Sequence, residues 1–141
     1  MRSTTLQYDV PPAVAYAYLA DPRNRPEWQS SLKRVDLLDE GEPRTGMRWR
    51  DVTAVGMVPD MVITAMQPDT LWAETGTWRA IEADLTLRFA PAGTGCRLEV
   101  SFEVRGRGAL RPVGWAATAA GLLAVRADLA KAGRVLAGRR P

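Results

Sequence analysis

Between Leu32 and Val104 the chain runs through six successive segments in which apolar and polar residues alternate, the period of strands that bury one face. They span about Leu32 to Leu38, Met47 to Val55, Met57 to Met66, Leu71 to Trp78, Ile81 to Phe89 and Cys96 to Val104, with Gly, Pro and Asp clusters between them. The last pair is the clearest. Ile81, Ala83, Leu85, Leu87 and Phe89 alternate with Glu82, Asp84, Thr86 and Arg88, and Leu98, Val100, Phe102 and Val104 alternate with charged or hydroxylated neighbours. Pro91-Ala-Gly-Thr-Gly95 between them supplies the glycines of a hairpin turn. It lacks the Lys-Ser/Thr and the helix of a phosphate-binding loop.

Helical patterns flank this block. Leu6, Tyr8 and Val10 predict a first strand, and Pro12 starts a short helix that stops at Asp21-Pro22 and is followed by a second helical turn bearing Trp28. From Pro112 a long helix is predicted, with Trp115, Leu122, Val125, Leu129, Ala132 and Leu136 on one stripe. Its first half is built from Gly and Ala and its second from bulkier residues, so a void could survive beneath the first half. The predicted order is β-α-α-β6-α, an α+β domain.

This order, the Ala20-Asp21-Pro22…Trp28 element and the Pro-x-Gly-x-Gly hairpin resemble the START-related, Bet v 1-like superfamily of polyketide cyclases/dehydrases and lipid-transport proteins. The resemblance covers residues 1–141 as a single domain. It implies a helix-grip fold: a curved antiparallel sheet wrapped around the long C-terminal helix, with an internal cavity that opens beside the short helices. Tyr16 and Leu19 match inward positions of the first helix, Trp28 the tryptophan after the Asp-Pro turn, and Gly46 and Trp49 a glycine and an aromatic near the third strand. Cys96 departs from the pattern, standing where threonine is common. The resemblance also sets Arg105, Arg107 and Arg111 near the cavity mouth, where they could attract an anionic ligand.

Composition narrows the chemistry. The chain of 141 residues is 46% hydrophobic and 25% charged, enough for one core with volume to spare. It has no histidine and one cysteine, which rules out a histidine-based triad, a Cys-His pair and the usual nitrogen/sulfur zinc site. No metal and no cofactor are expected. Asp36, Asp39, Glu40 and Glu42 read as a solvated hairpin, without an EF-hand pattern. Residues 71–141 carry eleven basic against six acidic side chains, yet the arginines are dispersed, with Arg139 and Arg140 at an end expected to fray. Nucleic-acid binding is therefore not expected. No apolar run reaches the eighteen residues of a membrane span and no basic-then-apolar leader is seen, so no membrane insertion and a cytoplasmic setting are expected, as monomer or homodimer.

Acid–base work would fall to Asp, Glu or Tyr. If Trp49 faces inward, alternation turns Asp51 inward too and makes it the leading candidate, against a structural or exposed Asp51. Glu74 shares a face with Trp72 and Trp78 and is the second candidate. Tyr16 could offer its hydroxyl, against a packed-core reading. The expected ligand-binding residues are Trp28, Trp49, Met61, Ile63, Trp78, Leu85, Phe102, Trp115 and Leu122. With five tryptophans and five methionines they suit a flat or flexible hydrophobic molecule. Two functions stay open: a carrier of a lipid, isoprenoid or polyketide-like ligand, and a cyclase or aromatase that uses cavity acids.

Overall fold

A computed structural model of the chain describes residues 1–139, with the side chain of Trp115 outside that description. Strand β1 (Arg2–Tyr8) leads into helix α1 (Pro12–Leu19) and a 3₁₀ turn (Pro22–Glu27). Strands β2 (Leu32–Leu37), β3 (Arg48–Thr53), β4 (Asp60–Gln67), β5 (Leu71–Trp78), β6 (Ile81–Ala92) and β7 (Gly95–Gly106) follow. A second 3₁₀ turn (Gly108–Leu110) then opens helix α2 (Arg111–Gly138). The strands form one open, curved antiparallel sheet in the order β1-β7-β6-β5-β4-β3-β2, which grips α2.

The expected order holds, with local corrections. The second helical turn is 3₁₀ and not α: Pro22 suits its start, but Pro26 falls inside it and removes an N–H that an α-helix would use. Met47 precedes β3 and Met57 precedes β4, so neither lies on a strand as expected. Pro59, which has no N–H to give to a ladder, delays β4 to Asp60. The β6–β7 hairpin is longer than the alternation suggested: Ala92 pairs with Gly95, leaving Gly93 at φ +60° and Thr94 as a two-residue turn. Arg139 does not fray. It donates to Glu27 at 2.7 Å and lies over the Tyr18 ring at 5.4 Å. Arg140 lies outside the described residues.

Helix α2 packs on β7 and β1, and its two halves do so differently. In the second half Leu129, Ala132 and Leu136 are buried beside Tyr8, Leu98 and Val100. Gly133 lets the Tyr8 ring lie flush on the helix, since a Cβ there would come within 2.8 Å of it. The Tyr8 hydroxyl donates to the Leu129 carbonyl at 2.5 Å, and burial pushes its pKa well above the ordinary value of 10. Tyr8→Phe is expected to cost about 1 kcal/mol, read as a lowered midpoint in urea with an unchanged slope.

In the first half, Thr118 does the work of a missing strand. The register of β1 with β7 ends at Arg2↔Phe102, so β7 continues to Gly106 without a neighbour on that side. Thr118 Oγ1 accepts the Val104 N–H at 2.9 Å and lies 2.7 Å from the Gly114 carbonyl. It fixes the start of α2 to the last turn of β7 while the glycines around it keep the helix slim. Arg126 covers the outer edge of β1 in a similar way, donating to Thr4 Oγ1 at 3.0 Å.

Candidate functional site

Two features stand out: a buried charge cluster on the inner face of the sheet and a pocket around the end of β7. Alternation along β3 turns Trp49 and Asp51 inward, and along β5 it turns Trp72, Glu74 and Gly76 inward. Asp51 and Glu74 are 2% and 5% exposed. Isolated carboxylates at that depth would be costly, and they are not isolated.

The partner is Arg25. Asp21 caps the 3₁₀ turn by accepting the Arg23 N–H at 3.0 Å, Pro22 and Pro26 stiffen it, and Arg25 between them points into the core, 3% exposed. Its Nη1 donates to Glu74 Oε2 at 2.8 Å, and its Nη2 donates to Glu74 Oε1 at 3.3 Å and to Asp51 Oδ2 at 3.1 Å. Trp49 Nε1 donates to the other Asp51 oxygen at 2.8 Å. The guanidinium carbon lies 5.5 Å from the Trp28 ring centre and 5.4 Å from that of Trp49, so two aromatic rings flank the cation.

One cation faces two acids, and this imbalance has a consequence for protons. Burial raises the Glu74 pKa above its ordinary value; Arg25 pulls it down, Asp51 pushes it up, and the net direction is upward. Burial also opposes the charge on Arg25, but Glu74 and Asp51 outweigh it and hold the guanidinium firmly protonated. Glu74 thus holds a proton more readily than an ordinary glutamate. Arg25 Nε, Trp28 Nε1 and, two residues before Glu74 on the same face of β5, Trp72 Nε1 are buried without a partner among the described residues.

The pocket, of about 940 Å³, opens where the ends of β6 and β7 meet the start of α2. Val104, Gly106, Gly108, Pro112 and Gly114 line it with Glu82, Glu103, Arg105, Arg107 and Arg111, and the alternation that turns Val104 inward turns Glu82, Glu103 and Arg105 outward. Register relates it to the cluster. Glu74, Leu85 and Phe102 sit abreast on β5, β6 and β7; Gly76, Ala83 and Val104 come next; Trp78, Ile81 and Gly106 come last. The cluster and the mouth are therefore about 13 Å apart, four residues along a strand, and the inner face between them is apolar.

The expected site residues divide between these places. Asp51 and Glu74 come together through Arg25, which the sequence reading did not single out. Tyr16 does not join them: its ring packs edge-on against Phe89 at 5.4 Å, its hydroxyl is buried without a partner among the described residues, and burial raises its pKa. Trp28, Trp49, Met61, Ile63 and Leu85 are buried in the core, whereas Trp78, Phe102 and Leu122 are half-buried. None of these eight is among the described residues that line the pocket. Trp115 lies on α2, with its side chain outside the description. Among the described residues, no group of three or more Cys, Asp or Glu is placed to hold a metal ion, and no single helix is long and apolar enough to cross a membrane.

A family model for polyketide cyclase/dehydrase and lipid-transport proteins matches residues 3–137. The chain belongs to that family. Its architecture is the Bet v 1-like helix-grip fold, found also in solved structures of low sequence identity. Protein MLL2253 of Mesorhizobium loti is 17% identical with a TM-score of 0.70, over 99% of this chain and 100% of that one. Ara h 8.0201 is 15% identical with a TM-score of 0.70, over 98% and 97%. DynU16, a protein of the dynemicin biosynthetic locus, is 15% identical with a TM-score of 0.70, over 99% of this chain and 48% of that one. At these identities the likeness speaks for the family's fold alone. No curated protein matches the chain in sequence.

Proposed function

We propose that the protein binds one small hydrophobic molecule, a lipid, isoprenoid or polyketide-like compound, between the start of α2 and the inner face of β5–β7. The observation that carries this reading is the pocket of about 940 Å³, of the size of small-molecule sites, with Val104, Gly106, Pro112 and Gly114 among the residues that line it. Family membership supports it. The test is native mass spectrometry of the gently purified protein, with solvent extraction, beside titration with an apolar fluorescent probe. One hydrophobic molecule or one probe per chain is expected. A clean apo mass together with no saturable probe binding would sink the reading.

A second reading is favoured by a specific observation, the Arg25–Asp51–Glu74 cluster. An enzyme of cyclase type needs a proton donor and acceptor at the end of an oriented chain, and Glu74, buried with a raised pKa next to Asp51, has that character. A ligand lying along the apolar strip would present its inner end to Glu74, with Arg25 positioned to polarise a carbonyl. Glu74→Gln separates the two readings. In a carrier, probe affinity changes little and there is no turnover to lose; in an enzyme, conversion of the bound molecule stops while binding persists.

A further inference from the structure

The mouth of the pocket carries more positive charge than it neutralises. Arg105 is committed to the protein, paired with Glu82 at 3.4 Å, Glu103 at 3.2 Å and also with Asp84. Arg107 has only a distant share of Glu82, at 3.9 Å, and its side chain is 75% exposed. Arg111 has no carboxylate within ion-pair distance among the described residues, although it lines the same pocket. A third arginine lies on the neighbouring turn. Arg79 opens the two-residue turn between β5 and β6, and the Arg107 N–H donates to Ala80 of that turn at 2.9 Å.

Arg79 is held at φ +55°, the left-handed conformation that the first position of a two-residue hairpin turn requires and that glycine or asparagine usually supplies. Its guanidinium carbon lies 4.6 Å from the centre of Trp78, whose inner-face position ends the apolar strip. Arg107 and Arg111 thus line the opening, with Arg79 on the turn bonded to Arg107, and α2, which begins there, has neither an acidic residue in its first turn nor a side-chain cap.

We infer that the natural ligand is an anionic amphiphile, whose carboxylate or phosphate head is held at the mouth by Arg107 and Arg111, with Arg79 on the neighbouring turn, and whose apolar body lies along Trp78, Ile81, Ala83 and Val104 toward Glu74. Arginine suits this role because its planar fork meets an oxyanion with paired, charge-assisted hydrogen bonds. The inference rests on the ligand-binding reading and adds the head-group class and its polarity in the pocket.

Binding of dodecanoate, dodecyl phosphate and dodecanol at neutral pH, each kept below its micelle concentration, tests it in the wild type and in Arg107→Gln/Arg111→Gln. Both anions are expected to bind about ten-fold more tightly than dodecanol, the gain of a charge-assisted contact. In the double variant that advantage should disappear while dodecanol affinity stays the same, and added salt should erode it in the wild type. A preference for one anion would identify the head group within the proposed class. Equal affinity for anions and alcohol, or an advantage that survives the double substitution, would overturn the inference and leave the pocket reading standing. Absence of binding by all three would overturn the pocket reading, and the inference with it.

Discussion

Replacing Arg25 by methionine is expected to lower stability by about 3–5 kcal/mol, because it strands two buried carboxylates. For a domain of this size that corresponds to a fall in melting temperature of roughly 10 °C or more. The loss should depend on pH, and its sign follows from Glu74. Its pKa in the folded protein is already above the ordinary value of 4.5, so the native state holds this proton more tightly than the unfolded chain. The stability linked to Glu74 is therefore fully present below the unfolded value and is lost as pH rises through the folded one. Without Arg25 the folded value moves higher still. The deficit of Arg25→Met should accordingly be greatest at pH 8 and shrink toward pH 5, as measured by thermal melts. Replacing Arg25, Asp51 and Glu74 together by Met, Leu and Met should recover most of the loss, since an apolar cluster needs no charge partner. A deficit under about 1 kcal/mol, or one that does not change with pH, would mean that water reaches the cluster.

That cluster also shows where sequence reading stops. Asp51 and Glu74 were legible because a strand has a period of two: once Trp49 and Trp72 face the core, the residues two positions on must follow. The long helix and the β6–β7 hairpin were legible for the same reason of periodicity. Arg25 sits in a proline-bounded 3₁₀ turn, which has no such period, so nothing local separates it from its exposed neighbour Arg23. A signal was present all the same. Two inward acids on one sheet face call for a cation, and Arg23 and Arg25 are the two basic residues of the segment between α1 and β2. The bulge in β4 between Ile63 and Ala65 was hidden too, because Thr64 is small and polar and does not break the alternation visibly. Arg139 was misjudged for a different reason. Its partners, Glu27 and Tyr18, lie more than a hundred residues away, and no local pattern reports them.

The shape of the pocket mouth depends on backbone proximity, which a pair of glycine substitutions can weigh. At Gly106 an added Cβ would lie 2.1 Å from the Leu110 carbonyl oxygen and 2.6 Å from its carbon. No side chain can rotate to relieve such a contact. The turn Gly108–Leu110 would have to move, and with it Arg111 and Pro112 of the mouth. Gly106→Ala is therefore expected to cost about 2–3 kcal/mol and to weaken binding of an apolar probe several-fold. Gly108, two residues on, is the counterpart. Its φ is +58° but nothing lies within 4 Å of its missing Cβ, so Gly108→Ala meets only the strain of a left-handed alanine, about 1 kcal/mol. The same methyl group thus tests two different constraints. Urea unfolding and probe titration on both variants distinguish them. A larger loss at Gly106, with binding changed there alone, would mean that the close seat of α2 on the end of β7 sets the mouth. Equal losses with binding unchanged in both would mean that the turn adapts freely, and that the pocket is shaped by the side chains of β5–β7 instead.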